Sequence, residues 1–141
     1  MPPNFRRFLP LILIAFVLIL IVPTLLKKKS TSTSCHPGAA ATCVGADLAN
    51  VDLSKATLTS ADFAHADLTG ADLHSANLSD ANLAGADISG ADLAGATLTH
   101  ARFQGANLTG ADLAGGINAD LRGAIVCHTL LPSGHLPAHD C

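Results

Sequence analysis

A five-residue repeat occupies most of the 141-residue chain and constrains its fold more than any other feature. Fifteen units run without a gap over residues 41–115. Each unit has Ala, then Asp or Asn, then Leu, then two small or polar residues, as in Ala66-Asp67-Leu68-Thr69-Gly70. The phase resumes at Ala119-Asp120-Leu121 and continues with units at 124 and 129, which makes eighteen units. The third residue is apolar in all eighteen units, which indicates that it faces a core.

A period of five excludes the simplest ways of burying these apolar residues. On one helix, Leu residues five apart would spread around the axis, and on one strand they would alternate between its two faces. The pattern works if each unit is a short extended side followed by a turn. Ala and Leu then point inward, Asp or Asn points outward, and the last two residues form a corner. The sequence therefore predicts an all-β solenoid with an Ala and Leu interior.

The repeat resembles the pentapeptide repeat family, through units such as Ala106-Asn107-Leu108-Thr109-Gly110. The resemblance covers residues 41–115 closely and extends to about residue 133. It implies a right-handed quadrilateral β-helix with one unit per side and four sides per coil. Eighteen units then give about 4.5 coils, and coils about 4.8 Å apart make a rod about 20 Å tall.

Two irregularities carry expectations of their own. Gly115-Gly116-Ile117-Asn118 interrupts the phase as if three residues were inserted, which predicts a bulge or loop at a corner. Phe63 and Phe103 are forty residues apart and should lie on one side of the rod, with Leu83 between them. We expect both rings to fill the core and not to line a ligand site.

The amino-terminal segment predicts a membrane anchor. Residues 8–26 carry no charge over nineteen positions, and basic residues flank them at 6–7 and 27–29. A bilayer span needs about 20 apolar residues, whereas the apolar part of a signal peptide has about 7–15. We therefore expect one retained transmembrane helix before the solenoid. A cleaved signal peptide and a buried core helix are the alternatives.

The orientation of this anchor rests on the cysteines, because its basic flanks are nearly balanced. All four cysteines follow the anchor, and an even number of them favours an oxidising compartment. We expect residues 30–141 on the outer side of a bacterial cell membrane; a cytoplasmic domain with free thiols is the alternative. The predicted segments are an anchor with basic flanks (1–29), a Ser/Thr-rich spacer and cap (30–40), the β-helix (41–133) and a terminal cap (134–141).

The cysteines lie at the two ends of the repeat, where a solenoid needs caps. We expect two short-range disulfides, Cys35–Cys43 and Cys127–Cys141, each adding about 2–4 kcal/mol of stability. Four cysteines allow three pairings, and Cys43, at an inward position, is alternatively a buried thiol. His135 and His139, together with Cys127 and Cys141, are weak zinc-ligand candidates. Their spacing lacks a C-x-x-C pair, so we expect no metal.

The net charge of −3 is the sum of +5 in residues 1–29 and −8 in residues 30–141, and the chain has no Glu. Four sides per coil would align Asp52, Asp72, Asp92 and Asp112 in one ladder, and Asp47, Asp67, Asp87 and Asn107 in the next. Carboxylates about 5 Å apart repel, so we expect some of their pKa values to rise. The ladders are either a recognition surface for cations or a basic partner, or a polar coat that prevents self-association.

No pattern in the chain indicates catalysis. It lacks a nucleophile elbow, a phosphate loop and a paired-glycine fingerprint, and a filled interior leaves no pocket, so we expect neither catalytic residues nor a cofactor. We expect a membrane-anchored, non-catalytic interaction or structural module with an unknown protein partner. The resembled family includes DNA mimics that inhibit topoisomerases, and the acidic repeat makes this one alternative, although the anchor and the short rod disfavour it. A cation-binding or zinc-binding surface module is the other alternative.

Overall fold

A computed structural model describes residues 35–133 of the chain. The regular structure in this range consists of parallel β-bridges, one at the centre of each short side, separated by tight turns. No helix occurs between residues 35 and 133. A side this short is not stable alone, so its structure depends on pairing with the coils on either side of it.

Twelve of the fourteen bridges in the described residues join positions twenty apart, which gives four five-residue sides per coil. The outward residues form four faces of a rod. Face 1 has Thr42, Asp62, Asn82 and Arg102; face 2 has Asp47, Asp67, Asp87 and Asn107; face 3 has Asp52, Asp72, Asp92 and Asp112; face 4 has Thr57, Asn77, Thr97 and Ile117. The predicted four-sided solenoid is therefore confirmed.

Backbone hydrogen bonds connect each side to the coils before and after it. The N–H of Leu73 donates to the carbonyl of Asp92 at 2.7 Å, and the N–H of Asp92 donates to the carbonyl of Ala71 at 3.0 Å. Corners add a bond within the coil, as from the N–H of Ala76 to the carbonyl of Leu73 at 3.0 Å. Because this scheme repeats from coil to coil, the polar backbone is satisfied wherever successive coils pair in register.

The last residue of each side adopts positive φ, as the third residue of a type II turn requires. Glycine takes this conformation without strain, as at Gly90 with φ 66°. Ten residues other than glycine also take it between residues 35 and 133, including Lys55 at 58° and His65 at 58°. The fold thus forces a costly backbone conformation on ordinary residues, which the stacking of coils must offset.

Inward Ala and Leu side chains fill the interior. Between Leu58 and Leu113, no residue at these positions is more than 4% exposed. Phe63, Leu83 and Phe103 are at most 1% exposed and stack on face 1, so both rings are core residues as predicted. Nearer the ends several inward residues, such as Leu48, Leu121 and Val126, are only partly buried.

The interpretation of residues 115–118 as an insertion is wrong. Ile117 stays in register: it bridges Thr97, and its N–H donates to the carbonyl of Ala96 at 2.9 Å. The chain then turns at once at Asn118, where φ is 57°. This side therefore has three residues and lacks two. The following bridges, Asn107–Ile125 and Asp112–Leu130, accordingly span eighteen residues.

Glycine at position 116 permits this shortened side. A Cβ atom there would lie 3.0 Å from the carbonyl oxygen of Leu113 and 3.5 Å from Cδ1 of Leu98. The Ala that occupies most equivalent positions would therefore be crowded. With the shortened side included, nineteen sides replace the eighteen predicted ones.

The predicted anchor at residues 8–26 and the predicted cap at 134–141 lie outside the described residues. Within 35–133, the structure has no helix of the length and apolarity that a bilayer span requires.

Replacing Leu83 with Ala should lower the free energy of unfolding by about 2–5 kcal/mol, because the side chain is wholly buried between two phenyl rings. Leu48→Ala is the matched control, since Leu48 is only partly buried, and it should cost less. Urea unfolding of the full chain in detergent micelles, followed by circular dichroism, gives both values. Equal losses would contradict the described core.

Candidate functional site

The outward Asp and Asn side chains hold the corners of the rod. The Oδ1 atom of Asp92 accepts the backbone N–H of Ala94 at 2.8 Å, and Asp112 binds the N–H of Ala114 in the same way at 2.8 Å. The same contact recurs on all four faces, at each outward Asp or Asn of the described rod. This is an Asx turn, which the longer Glu side chain does not form, and it explains why the repeat uses Asp and Asn.

Hydroxyl groups at several corners bind the same oxygen atoms. Ser54 Oγ donates to Asp52 Oδ1 at 2.7 Å, and Thr69 Oγ1 donates to Asp67 Oδ1 at 2.6 Å. The backbone and side-chain hydrogen bonds from Ser54 lower the pKa of Asp52. The raised pKa that carboxylate stacking predicts is therefore wrong at Asp52, because these bonds favour the charged form.

Faces 2 and 3 adjoin and together carry seven carboxylates in the first four coils. Face 3 is the uniform ladder of Asp52, Asp72, Asp92 and Asp112. On faces 1 and 2, an Asn amide bonds to the Asp of the preceding coil: Asn82 Nδ2 donates to Asp62 Oδ1 at 2.9 Å, and Asn107 Nδ2 donates to Asp87 Oδ1 at 3.2 Å. An Asn at such a position thus keeps the turn and replaces a repulsion by a bond between coils.

The negative charge is concentrated in the first three coils. Residues 35–100 contain eight Asp and one Lys, a formal charge of −7 with His neutral, whereas residues 101–133 contain two Asp and two Arg and are neutral. One end of the described rod is therefore acidic and the other is not.

A groove of about 320 Å³ lies beside the shortened side. His100 Nδ1 lies 3.3 Å from Asp80 Oδ1 near one edge, and Asn118 Nδ2 donates to Thr99 Oγ1 at 3.1 Å. The groove has both polar and apolar lining groups; its lining residues are Thr99, His100, Ala101, Arg102, Phe103, Gln104, Asn118 and Asp120. The sequence alone does not reveal this site, because its phase break is equally consistent with an insertion, which would leave no side shortened.

An ion pair occupies one wall of the groove. Arg122 Nε lies 2.9 Å from Asp120 Oδ1 and 3.0 Å from Asp120 Oδ2, and Nη2 also binds Oδ2. The side-chain hydrogen bonds from Arg122, with its backbone N–H, lower the pKa of Asp120 to about 2. The same pair raises the pKa of Arg122.

The first cap is covalent: Cys35 and Cys43 form a disulfide with their Cα atoms 4.9 Å apart. Cys43 is 2% exposed, so the bond attaches residue 35 to the core of the first coil. Cys127 is also disulfide-bonded, while its predicted partner Cys141 lies outside the described residues.

The zinc-ligand candidates are not assembled in the described part of the chain. Because Cys127 is in a disulfide, it has no thiolate to offer a metal ion. His135, His139 and Cys141 lie outside the described residues. Residues 35–133 hold no group of three His, Cys, Asp or Glu side chains suited to a metal ion.

Comparison with protein families settles the classification. Residues 39–74 and 76–115 match the model for pentapeptide repeats, with eight copies, over more than half of the chain. The chain belongs to the pentapeptide repeat family. Its solenoid is thus the right-handed quadrilateral β-helix of that family, and family members are generally non-catalytic structural or interaction modules.

One solved structure supports the same fold. A pentapeptide repeat protein from the thylakoid lumen of Arabidopsis thaliana is 31% identical, with a TM-score of 0.60. The match covers 64% of each chain, so less than two thirds of that protein is represented. A pentapeptide repeat protein, Rfr23, from the cyanobacterium Cyanothece 51142 is 35% identical over 56% of this chain and 60% of its own, with a TM-score of 0.31. No curated protein matches.

Replacing Asp72 with Asn should stabilise the rod at low ionic strength. The amide oxygen preserves the bond from His74 N–H, which is 3.0 Å in the native chain, while the repulsion from Asp52 and Asp92 is removed. The melting temperature should therefore rise, and the gain should shrink in high salt because salt screens the native repulsion.

Asp72→Ala is the matched control for this change. It removes the same charge but also removes the turn acceptor, so its melting temperature should lie below that of Asp72→Asn. Thermal unfolding followed by circular dichroism measures both variants. If the two variants melt together, the Asx turns do not stabilise the corners.

The Asp120 carboxyl should titrate near pH 2, well below the ordinary value of 3.8. A lowered folded-state pKa stabilises the fold above the unfolded-state pKa, and this contribution is lost as the pH falls through about 2. Carboxyl carbon chemical shifts measure the midpoint, and Arg122→Gln should return it toward 3.8. An unchanged midpoint in this variant would show that Arg122 is not the cause.

Proposed function

We propose that the protein is a membrane-anchored, non-catalytic module that presents its outer faces to a protein partner outside the cell membrane. The observation that carries this proposal is the filled interior, where inward residues from 58 to 113 are almost entirely buried. Groups available to another molecule therefore lie on the faces, corners and ends of the rod. Residues 8–26 supply the proposed anchor through their uninterrupted apolar character.

Faces 2 and 3 are the contact surface to test first. The Asx turns hold their carboxylates to the backbone. Because these side chains are already ordered, binding a partner would cost little of their conformational entropy. Their negative charge would also select against acidic partners and speed the approach of basic ones. Face 4 carries Thr and Asn in the first three coils and offers no charge.

Photocrosslinking in intact cells tests this surface. A photoreactive residue at Ala49 lies at the corner between faces 2 and 3, and one at Thr59 lies at the opposite corner of the same coil. The proposal predicts one discrete crosslinked protein from Ala49 and none from Thr59. The triple variant Asp52→Asn, Asp72→Asn, Asp92→Asn should remove that product while the rod stays folded. Equal crosslinking from both corners, or none from either, would contradict it.

Cysteine labelling tests the location independently. With the Cys35–Cys43 disulfide outside the membrane, a membrane-impermeant thiol reagent should label intact cells only after reduction. Labelling that needs cell lysis but no reductant would place the rod in the cytoplasm with free thiols.

The DNA-mimic alternative is supported by the charge of −7 in residues 35–100. Duplex DNA carries one charge per about 1.7 Å of its axis, and the first three coils, with a rise of about 4.8 Å each, reach a comparable average. Inhibition of gyrase supercoiling by the full chain in detergent, lost in the same triple variant, would favour this function over the partner-binding one.

A further inference from the structure

The groove beside Asn118 exists because one side of one coil, here called a rung, has no β-bridge to the following coil. The outward residues on either side of it are paired with the following coil, Thr97 with Ile117 and Asn107 with Ile125. Arg102 pairs with Asn82 in the preceding coil but has no bridge to residues 119–123. The missing two residues thus open the rod at face 1 only.

Backbone groups along this rung lack the partners that their equivalents have one coil earlier. There, Leu83 N–H donates to Arg102 O at 2.8 Å, and Asp80 N–H donates to Thr99 O at 2.8 Å. Among residues 35–133, the corresponding N–H groups of Phe103 and His100 have no such acceptor. Two backbone donors are therefore left over beside the groove, and that of Phe103 belongs to a residue only 1% exposed.

Two side chains at the rim of the groove add unpaired hydrogen-bond donors, one cationic and one neutral. The Arg102 guanidinium and the Gln104 amide are exposed and form no hydrogen bond or ion pair within the described part of the chain. The carboxylate of Asp120, by contrast, is already bound by Arg122. The uncompensated charge of the groove is therefore the guanidinium.

We propose that this groove binds a small molecule through an oxyanion group, a carboxylate or a phosphate, with Arg102 as the anchoring cation. A planar guanidinium offers paired N–H groups that match the two oxygens of either anion. Gln104 and Asn118 supply neutral donors at the rim, and the volume of about 320 Å³ suits a metabolite and not a folded domain. Because the groove lies near the neutral end of the rod, an anionic ligand avoids the repulsion of the acidic coils.

Binding by the full chain in zwitterionic detergent micelles tests the proposal. Amide chemical shifts and calorimetry are measured with inorganic phosphate, succinate and uncharged glycerol as probes. Either anion should shift the amide signals of residues 99–104 and 118–120, and glycerol should not. The anion that binds more tightly identifies the phosphate or carboxylate source.

Two variants distinguish specific binding in the groove from general attraction of anions to positive charge. Arg102→Gln should weaken binding at least about tenfold, as loss of a charge-assisted hydrogen bond does. Lys55→Gln makes the same charge change at a corner of the first coil, away from the groove, and should change affinity by less than about twofold. Circular dichroism checks that both variants stay folded.

A third variant restores the missing residues. Insertion of Leu-Ser between Ile117 and Asn118 would complete the five-residue side with an apolar third residue and keep Asn118 at the corner. It would bring Asp120 into the face 1 ladder beside Arg102 and close the groove. It should abolish binding while the rod remains folded. Equal loss in Lys55→Gln, unchanged binding in Arg102→Gln, or no binding of either anion at millimolar concentration would overturn the proposal.

Discussion

The hydrogen-bonded register between successive coils is the constraint on which the rest of this structure depends. Each side contributes only one bridged residue, so no side has local stability of its own and the coils are stable only as a stack. Twenty-residue spacing puts Ala on Ala and Leu on Leu, which fills the interior from Leu58 to Leu113. The same spacing requires a positive-φ residue at every corner, including Lys55 and Ser75. Burial and cross-coil bonding together offset that backbone cost.

The outward residues are selected more for the turns that they stabilise than for the charge that they carry. Asp and Asn are favoured because their short side chains accept the N–H two residues on, and Glu does not reach in the same way. The acidic faces are thus a by-product of turn formation that is also available for recognition. Where Asn replaces Asp, as at Asn82, the turn is kept and an amide links the coils.

The sequence predicted the coil geometry because a period of five leaves one way to bury the third residue. It also predicted the stacking of Phe63 and Phe103, since forty residues are two coils. It did not predict the shortened side, because a gain of three residues and a loss of two shift a five-residue phase identically. Only the Thr97–Ile117 bridge distinguishes them. The Asx turns have a sequence signal, an Asp or Asn two residues before each corner. The same pattern is also expected of any outward polar residue, so the signal alone does not predict the turns.

The groove at Arg102 shows how a regular solenoid acquires a distinct site: one omitted pair of residues unpairs one rung and leaves the neighbouring rungs intact. Amide hydrogen exchange of the full chain tests this account most directly. Leu83, Leu108 and Leu113 donate to the following coil at 2.7–2.8 Å and should be protected. Phe103 should exchange much faster than all three, although it is equally buried and lies farther from the carboxyl terminus than Leu108. Protection of Phe103 equal to that of Leu83 would contradict the account.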